Sequence, residues 1–262
     1  MSPKILLTIF LFQTAQAQSE PSTRELQIIQ NAEAFYQQVA KKSGQTFSIQ
    51  IHPESSIASG EAESDGQSLQ VILNGGLFHS PRLTDDALLM LICHEIGHLE
   101  GGAPRKDAPY EWEGPTASDG RLFLSSEGQA DYYASAVCFR QLVNKADAAS
   151  SLSEVTPRLQ KLCQQSHSKN QNDYELCLRS AVAGKDMLQV SYNWPLSFET
   201  PDLSKSPQLI RNAYPSAQCR LDTLTAGALC PSDLPLTLDF NKASKNDCSL
   251  DIGRRPPCWF RE

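Results

Sequence analysis

The sequence predicts an α+β fold that is mainly helical, with a small sheet beside one central helix. Apolar residues recur at helical spacing in residues 83 to 100 and again in residues 126 to 144. Residues 46 to 51 and 68 to 73 have instead the alternating, β-branched pattern of strands. Because the helical segments are longer than the extended ones, we expect helices to form most of the core.

Other segments complete the expected order of elements. A capping box at Ser22 and Glu25 begins a helix that ends near Gly44. Residues 54 to 66 are acidic and rich in Gly and Ser, which predicts a loop or an irregular hairpin. Further helices are expected at 154 to 165, 172 to 183 and 216 to 229, with a proline-rich extended connection from 194 to 207.

Length and charge limit the classes of function. The chain of 262 residues is long enough for one sizeable domain, and its 40% of hydrophobic residues can fill a core. The formal net charge of -7 argues against nucleic acid or an anionic lipid surface as a partner. We therefore expect no nucleic-acid partner.

The first 17 residues have the pattern of a secretory signal peptide. Lys4 precedes an apolar run over residues 5 to 12, and Ala15-Gln16-Ala17 is a small-x-small cleavage site. A buried or membrane helix is the alternative, but the run is far shorter than the roughly 20 apolar residues that span a bilayer. We expect a mature protein that is periplasmic or secreted and has no integral membrane segment.

The mature chain is expected to form one domain with a short tail. The periodic helices and strands fall within residues 18 to 230. Residues 231 to 262 are proline-rich and lack a periodic pattern. We therefore predict one domain over the first range and a disulfide-tied tail, packed on that domain, over the second.

Eight cysteines in an exported chain predict disulfides. Cys93 and Cys138 lie on two different predicted helices, which they could bridge, or they could remain buried thiols. Local spacing favours three other pairs, Cys163 with Cys177, Cys219 with Cys230, and Cys248 with Cys258.

The strongest chemical signal is the pattern His94-Glu95-x-x-His98 within the helix predicted at residues 83 to 100. His94 and His98 leave the same face of a helix one turn apart, so both imidazoles can reach one metal ion. Zn²⁺ accepts imidazole nitrogen and carboxylate oxygen in a tetrahedral shell, and an open position holds water. Glu95 is then the base that takes the proton of that water. The alternative is a helix with two surface histidines.

A third ligand is expected from the next helix. Ser126 and Gln129 have the spacing of a capping box, so that Glu127 opens this helix. Asp131 lies one turn after Glu127 on the same face. Glu127 then completes the metal shell, and Asp131 accepts the free ring N–H of His94 or His98. The alternative is an ordinary acidic first turn that the helix dipole favours.

Residues 102 to 124 separate the two ligand helices and contain several prolines and glycines. Their composition predicts a loop over the cleft. Tyr110 and Trp112 would either pin this loop to the domain or line a substrate subsite.

Three segments of the sequence, residues 76 to 98, 127 to 131 and 214 to 221, resemble the HtpX-like and CAAX-prenyl-protease-like family of gluzincin metallopeptidases. The resemblance implies a zincin-like fold and peptide-bond hydrolysis, with Zn²⁺ on His94, His98 and Glu127. In the last segment Pro and Arg220 are in register with the family, whereas Tyr214 stands where the family usually has histidine. The Tyr214 hydroxyl could donate to a developing oxyanion, or the side chain could serve only packing.

These features favour a zinc-dependent endopeptidase that cleaves unfolded or extended polypeptides. The strand at residues 68 to 73 is the expected edge for substrate pairing. Two alternatives stay open, a zinc-binding chaperone or holdase with little or no proteolysis, and a hydrolase of another bond class. The presence of Glu95 beside both histidines favours an enzyme over a protein that only binds zinc.

Overall fold

The computed structural model of the chain describes residues 20–143, 155–191, 193, 195–231 and 234–261. The predicted signal peptide, residues 1 to 17, lies outside the described residues. The expected α+β class is confirmed, since helices dominate and a small sheet accompanies them. No helix among the described residues is long and apolar enough to cross a membrane.

The helices follow the predicted order. A π-helical turn, Ala134–Cys138, joins the helix that begins at Glu127 to the helix that begins at Phe139. Short 3-10 helices lie at Gly75–His79, Ala243–Asn246 and Asp251–Gly253. The helices are α1 (Thr23–Lys42), α2 (Asp85–Glu100), α3 (Glu127–Tyr133), α4 (Phe139–Leu142), α5 (Pro157–Ser166), α6 (Gln171–Ser191) and α7 (Ala217–Leu229).

The main sheet has three strands, β1 (Thr46–His52), β2 (Gly60–Ser64) and β3 (Ser68–Asn74), in the spatial order β1-β3-β2. β3 pairs in parallel with β1 and antiparallel with β2. The expectation that residues 68 to 73 form the sheet edge is therefore wrong. The true edge on that side is β2, which falls in the acidic stretch of residues 54 to 66 and has too little apolar alternation to predict a strand.

Residues 102 to 124 are more regular than the loop predicted for them. β4 (Arg105–Asp107) and β5 (Arg121–Ser125) pair antiparallel and enclose an exposed tip. Tyr110 is 94% exposed and Trp112 is 47% exposed. Since neither aromatic side chain lines the large cavity beside α2, neither forms a subsite of that cavity.

Helix α2 is the centre of the fold. The Thr84 hydroxyl caps it by accepting a hydrogen bond from the Ala87 N–H (3.1 Å), and every residue of α2 after Asp85 is buried. α1, α3, α6 and β2 all pack against this helix. At its end Gly102 has a φ of +66°, a left-handed conformation that glycine adopts without steric cost. The chain then turns into β4.

All eight cysteines form disulfides, and two of the three predicted pairs are wrong. Cys219 and Cys230 lie near opposite ends of α7, where the rise of 1.5 Å per residue separates them by about 16 Å. A disulfide needs α-carbons within about 7 Å, so each cysteine pairs with the tail that folds back along the helix. The bonds are Cys93–Cys138, Cys163–Cys177, Cys219–Cys258 and Cys230–Cys248.

Candidate metal centre

Three side chains from two helices converge at the buried face between α2 and α3. His94 and His98 project from α2, and Glu127 is the first residue of α3. Glu127 Oε2 lies 3.4 Å from His94 Nε2 and 3.5 Å from His98 Nε2. All three residues are buried. The structure thus brings together the three ligands expected from the sequence.

Two of the three separations between the donor atoms match those of a tetrahedral metal shell. Two atoms that each lie about 2.1 Å from a tetrahedral zinc ion are about 3.4 Å apart, close to the separations of Glu127 Oε2 from the two imidazole nitrogens. Glu127 Oε2 is also buried without a hydrogen-bond donor among the described residues. A buried carboxylate oxygen with no donor is costly. These side chains could therefore hold a divalent metal ion.

The remaining ring nitrogens of both histidines face acceptors. His98 Nδ1 lies 2.8 Å from the Ser125 carbonyl oxygen, and His94 Nδ1 lies 2.8 Å from Asp131 Oδ1. If each Nδ1 carries the proton, each Nε2 presents a lone pair to the centre. Asp131 thus lies behind His94, at the contact expected from its position one turn after Glu127.

Arg220 acts on Asp131 rather than on the metal ligands. Its Nε and Nη2 atoms donate to the two carboxylate oxygens of Asp131 at 2.7 and 2.8 Å. Although burial acts in the opposite direction, the charges of Arg220 and His94 lower the pKa of Asp131. Asp131 therefore lies ionised beside His94 Nδ1. In this geometry Arg220 positions Asp131, and because it also lines the large cavity, a catalytic role for it stays a prediction.

The charge of Asp131 also changes the basicity of His94. Burial alone would lower the pKa of His94, but the charge and hydrogen bond of Asp131 raise it to about 9. At neutral pH such an imidazole carries both ring protons, so a metal ion at Nε2 would have to displace one of them. The contact between Asp131 and His94 therefore orients the ring, with Nε2 directed at Glu127.

Glu95 lines the large cavity together with His94, and one of its carboxylate oxygens lies within 4.8 Å of a ring nitrogen of His94 and of His98. It is buried, and burial raises its pKa although His94 and His98 act against this. Gly60 of β2 packs directly on it, because a β-carbon added there would lie 2.8 Å from both Cγ and Oε1 of Glu95. Sequence reasoning missed Gly60, since nothing in its local pattern relates it to a helix distant in the sequence.

Lys106 is a second residue that sequence reasoning missed. Its Nζ donates to Glu127 Oε1 at 2.7 Å, so the two carboxylate oxygens of Glu127 have different partners. Oε1 is held by the ammonium group, and Oε2 faces the imidazole nitrogens of His94 and His98. This contact favours binding of a metal ion through one oxygen of Glu127.

The capping box predicted for α3 is not formed. Ser126 is the residue before the helix, but its side chain makes no capping hydrogen bond. The Gln129 amide donates to the Gly101 carbonyl at 2.8 Å and accepts from Arg255 at 2.8 Å. Because these partners occupy its side chain, Gln129 joins the start of α3 to the end of α2 and to the C-terminal tail.

The tail reinforces the ends of both ligand helices. Trp259 is fully buried, and a β-carbon added at Gly128 would lie 2.3 Å from its ring. The Leu238 N–H donates to the Glu100 carbonyl at 3.0 Å, and the Asn246 amide donates to the Ala103 carbonyl at 2.8 Å. Residues 236 to 260 therefore support the segments that carry His98 and Glu127.

A cavity of about 860 Å³ opens beside the metal centre. His94, Glu95, Tyr214 and Arg220 are among the residues that line it. The Tyr214 ring lies 5.1 Å from the Arg220 guanidinium. Tyr214 is 66% exposed, and a tyrosine hydroxyl, whose ordinary pKa is about 10, keeps its proton at neutral pH. Tyr214 therefore remains a candidate hydrogen-bond donor at the mouth of the site.

Besides the group of His94, Glu95 and His98, the described residues contain a second group of ligand-type side chains, Asp202, Cys219 and Cys258. Both sulfur atoms are bonded to each other in the Cys219–Cys258 disulfide, so this group does not form a metal site.

Comparison with known proteins identifies no relative of this chain, since no family model, curated protein or solved structure matches it.

Proposed function

We propose that the protein is a zinc-dependent endopeptidase with a zincin-like fold and with His94, His98 and Glu127 as the metal ligands. The observation that carries this proposal is Glu127 Oε2, a buried carboxylate oxygen that has no hydrogen-bond donor in the described part of the chain and lies 3.4 and 3.5 Å from two imidazole nitrogens. Three such ligands leave one position for water, as catalytic zinc sites require. We also propose that the chain is related to the HtpX-like peptidases that three of its segments resemble.

Zinc, when bound, lowers the pKa of a bound water to about 7 and polarises a carbonyl group. Glu95 supplies the acid–base chemistry. Its carboxylate accepts a proton as the water oxygen bonds to the carbonyl carbon of the peptide. Glu95 then returns that proton to the amide nitrogen, the C–N bond breaks, and an acid and an amine are released. Tyr214 is a candidate donor to the negatively charged oxygen.

The edge of β2 that faces away from β3 is free of other strands in the described part of the chain, and it suits a polypeptide substrate. The Asn74 N–H donates to the Ser59 carbonyl at 3.1 Å, and the antiparallel register pairs Gly60 with Leu73. Ser59 and Asn74 are thus a hydrogen-bonded pair, and hydrogen-bonded and non-hydrogen-bonded pairs alternate along antiparallel strands. Gly60 and Leu73 are therefore a non-hydrogen-bonded pair, so the N–H and C=O groups of Gly60 point away from β3. Since Gly60 also touches Glu95, an extended substrate on this edge would pass beside the base. Unfolded or extended segments can adopt that conformation.

The four disulfides fit an oxidising compartment. Together with the predicted signal peptide, they support action in the periplasm or outside the cell. Proteins that lose their structure in such a compartment would supply extended polypeptide. We therefore propose unfolded exported proteins as the substrate class.

The test is to incubate the zinc-loaded mature protein with a library of unstructured peptides and to read the cut sites by mass spectrometry. A chelator should abolish cleavage, and added zinc should restore it. A protein that holds one zinc ion but cuts no peptide, and that prevents the aggregation of an unfolded client, would replace this proposal with the zinc-binding holdase.

A further inference from the structure

The wall of the large cavity beyond Glu95 is apolar. It is formed by four parts of the chain that meet beside the metal centre, namely α2, the end of α6, the segment before β2 and the segment that leads into α7. The apolar side chains on this wall include Ile57, Ala58, Leu91, Met187, Leu188 and Pro215.

No charged side chain on the part of this wall that the structure describes is available to pair with a charged group of a substrate. Of the described residues that line the cavity, the charged or titratable ones are His94, Glu95, Tyr214 and Arg220. The first two belong to the proposed metal and base site. Arg220 is held by Asp131 through two hydrogen bonds, and the Tyr214 hydroxyl keeps its proton at neutral pH. A buried charged side chain of a substrate would therefore lose its hydration without gaining a partner.

The cavity is large enough to hold a bulky side chain of a substrate. At about 860 Å³, the cavity lies in the range of about 300–1,000 Å³ that is usual for small-molecule sites. A leucine or phenylalanine side chain and its neighbouring peptide groups fit such a space. Alanine would leave much of the apolar wall in contact with water.

The position of the cavity relates it to the scissile bond. Gly60 belongs both to the free edge of β2 and to the cavity lining, and it touches Glu95. A peptide paired with β2 and attacked beside Glu95 would direct alternate side chains towards opposite faces of the sheet. One side chain next to the scissile bond would then enter the cavity.

We infer that this cavity is a specificity subsite that takes one large apolar side chain adjacent to the bond that is cut. The inference rests on the proposed peptidase function and defines its substrate class as extended segments with bulky apolar residues. Such residues are buried in folded proteins and become accessible on unfolding. The subsite would thus select unfolded clients over folded ones.

The test uses a Gly/Ser/Thr host peptide in which one position carries Phe, Leu, Ala, Asp or Lys. We expect kcat/KM to be about 10- to 200-fold higher with Phe or Leu than with Ala, as hydrophobic pockets discriminate by such factors. Cleavage should fall beside the varied residue, and the peptides with Asp and Lys should be the poorest substrates. Equal cleavage of all five would overturn the subsite and leave the peptidase function standing.

The matched variants are Ile57→Glu and Leu203→Glu. Ile57 is 61% exposed at the rim of the cavity, and Leu203 is 83% exposed outside the lining. Both sites tolerate charge in the fold because they face solvent. Ile57→Glu should reduce the preference for Phe over Ala by about 10-fold, and Leu203→Glu should leave it unchanged. An unchanged preference in Ile57→Glu contradicts the inference.

Binding separates failure of the subsite from failure of the proposed function. The zinc-loaded Glu95→Gln variant should bind fluorescein-labelled host peptides with Phe or Leu at least 10-fold more tightly than the peptide with Ala. If the wild type cuts no peptide but this order of affinity holds, the cavity is an apolar binding site and the peptidase function is wrong. If affinity does not depend on the varied residue, the subsite itself is wrong.

Discussion

Arg220 and Asp131 form a buried ion pair in which two guanidinium nitrogens donate to two carboxylate oxygens at 2.7 and 2.8 Å. Asp131 also lies 2.8 Å from His94 Nδ1. A residue of α7 therefore fixes, through α3, the imidazole that α2 presents to the proposed metal ion. These contacts connect α2, α3 and α7 beside the proposed metal site.

The Arg220→Gln variant should weaken zinc binding by about 10- to 100-fold, which is typical when a partner behind a metal ligand is lost. Chelator competition on the purified protein measures this change. Arg179→Gln is the matched control, because Arg179 and Asp86 form a similar pair with two contacts of 2.7 Å away from the ligands. Equal zinc affinity in the two variants would show that Arg220 serves only stability.

Lys106→Met removes the ammonium group from Glu127 Oε1 and keeps most of the side-chain volume. Because Lys106 Nζ donates to that oxygen at 2.7 Å, we expect a loss of about 10-fold or more in zinc affinity. Lys106→Arg should recover part of it, since it restores a charged donor. The same competition assay is used, and full affinity in Lys106→Met would contradict the role assigned to Lys106.

Gly60→Ala should impair turnover without removing zinc. A β-carbon at Gly60 would lie 2.8 Å from Glu95 Oε1 and 2.9 Å from Leu91 Cδ2, so the base must move. A displacement of about 1 Å can reduce the rate about 10²-fold. Glu63→Ala, an exposed position on the same strand, should keep normal kcat. The prediction fails if both variants turn over peptide at the wild-type rate with equal zinc content.

The Cys219–Cys258 bond ties the tail to α7, one residue before Arg220. Replacing both cysteines with serine should lower the free energy of unfolding by about 2–4 kcal/mol and should also weaken zinc binding, because Trp259 packs on Gly128 beside Glu127. Replacing Cys163 and Cys177 should lower stability alone, since that pair joins α5 to α6.

Non-reducing peptide mapping tests the connectivity itself. It should find Cys219 with Cys258 and Cys230 with Cys248. Peptides that join Cys219 to Cys230 would show that the tail is not held as described. Zinc affinity that falls equally in the two double-serine variants would show a loss of stability rather than a specific effect on the metal centre.

The part of the site that could be predicted from sequence is the part that single helices determine. His94, Glu95 and His98 have their relative positions set by the turn of α2, and the spacing of Glu127 and Asp131 is set by α3. Their relative positions can therefore be predicted from the number of residues that separate them in the sequence. The strands β1 and β3 and most helices follow in the same way from periodicity.

The rest depends on packing between distant segments. Gly60 reaches Glu95 only because β2 occupies the sheet edge beside α2, and Lys106 reaches Glu127 only because β4 pairs with β5. The disulfides of α7 depend on how the tail folds back along that helix. Pairing the cysteines that are close in sequence therefore predicts the wrong bonds. No local pattern carries these relationships, so sequence reasoning could not find them.

The central claim is that zinc bound by three side chains and the carboxylate of Glu95 together hydrolyse peptide bonds. The most direct measurement compares the zinc content and peptide turnover of the wild type and Glu95→Gln, a change that keeps the shape of the side chain and removes its ability to accept a proton. The account predicts one zinc ion per chain in both proteins, with turnover about 10²- to 10⁴-fold lower in the variant. Equal turnover in both proteins, or no turnover in a zinc-loaded wild type, would contradict it.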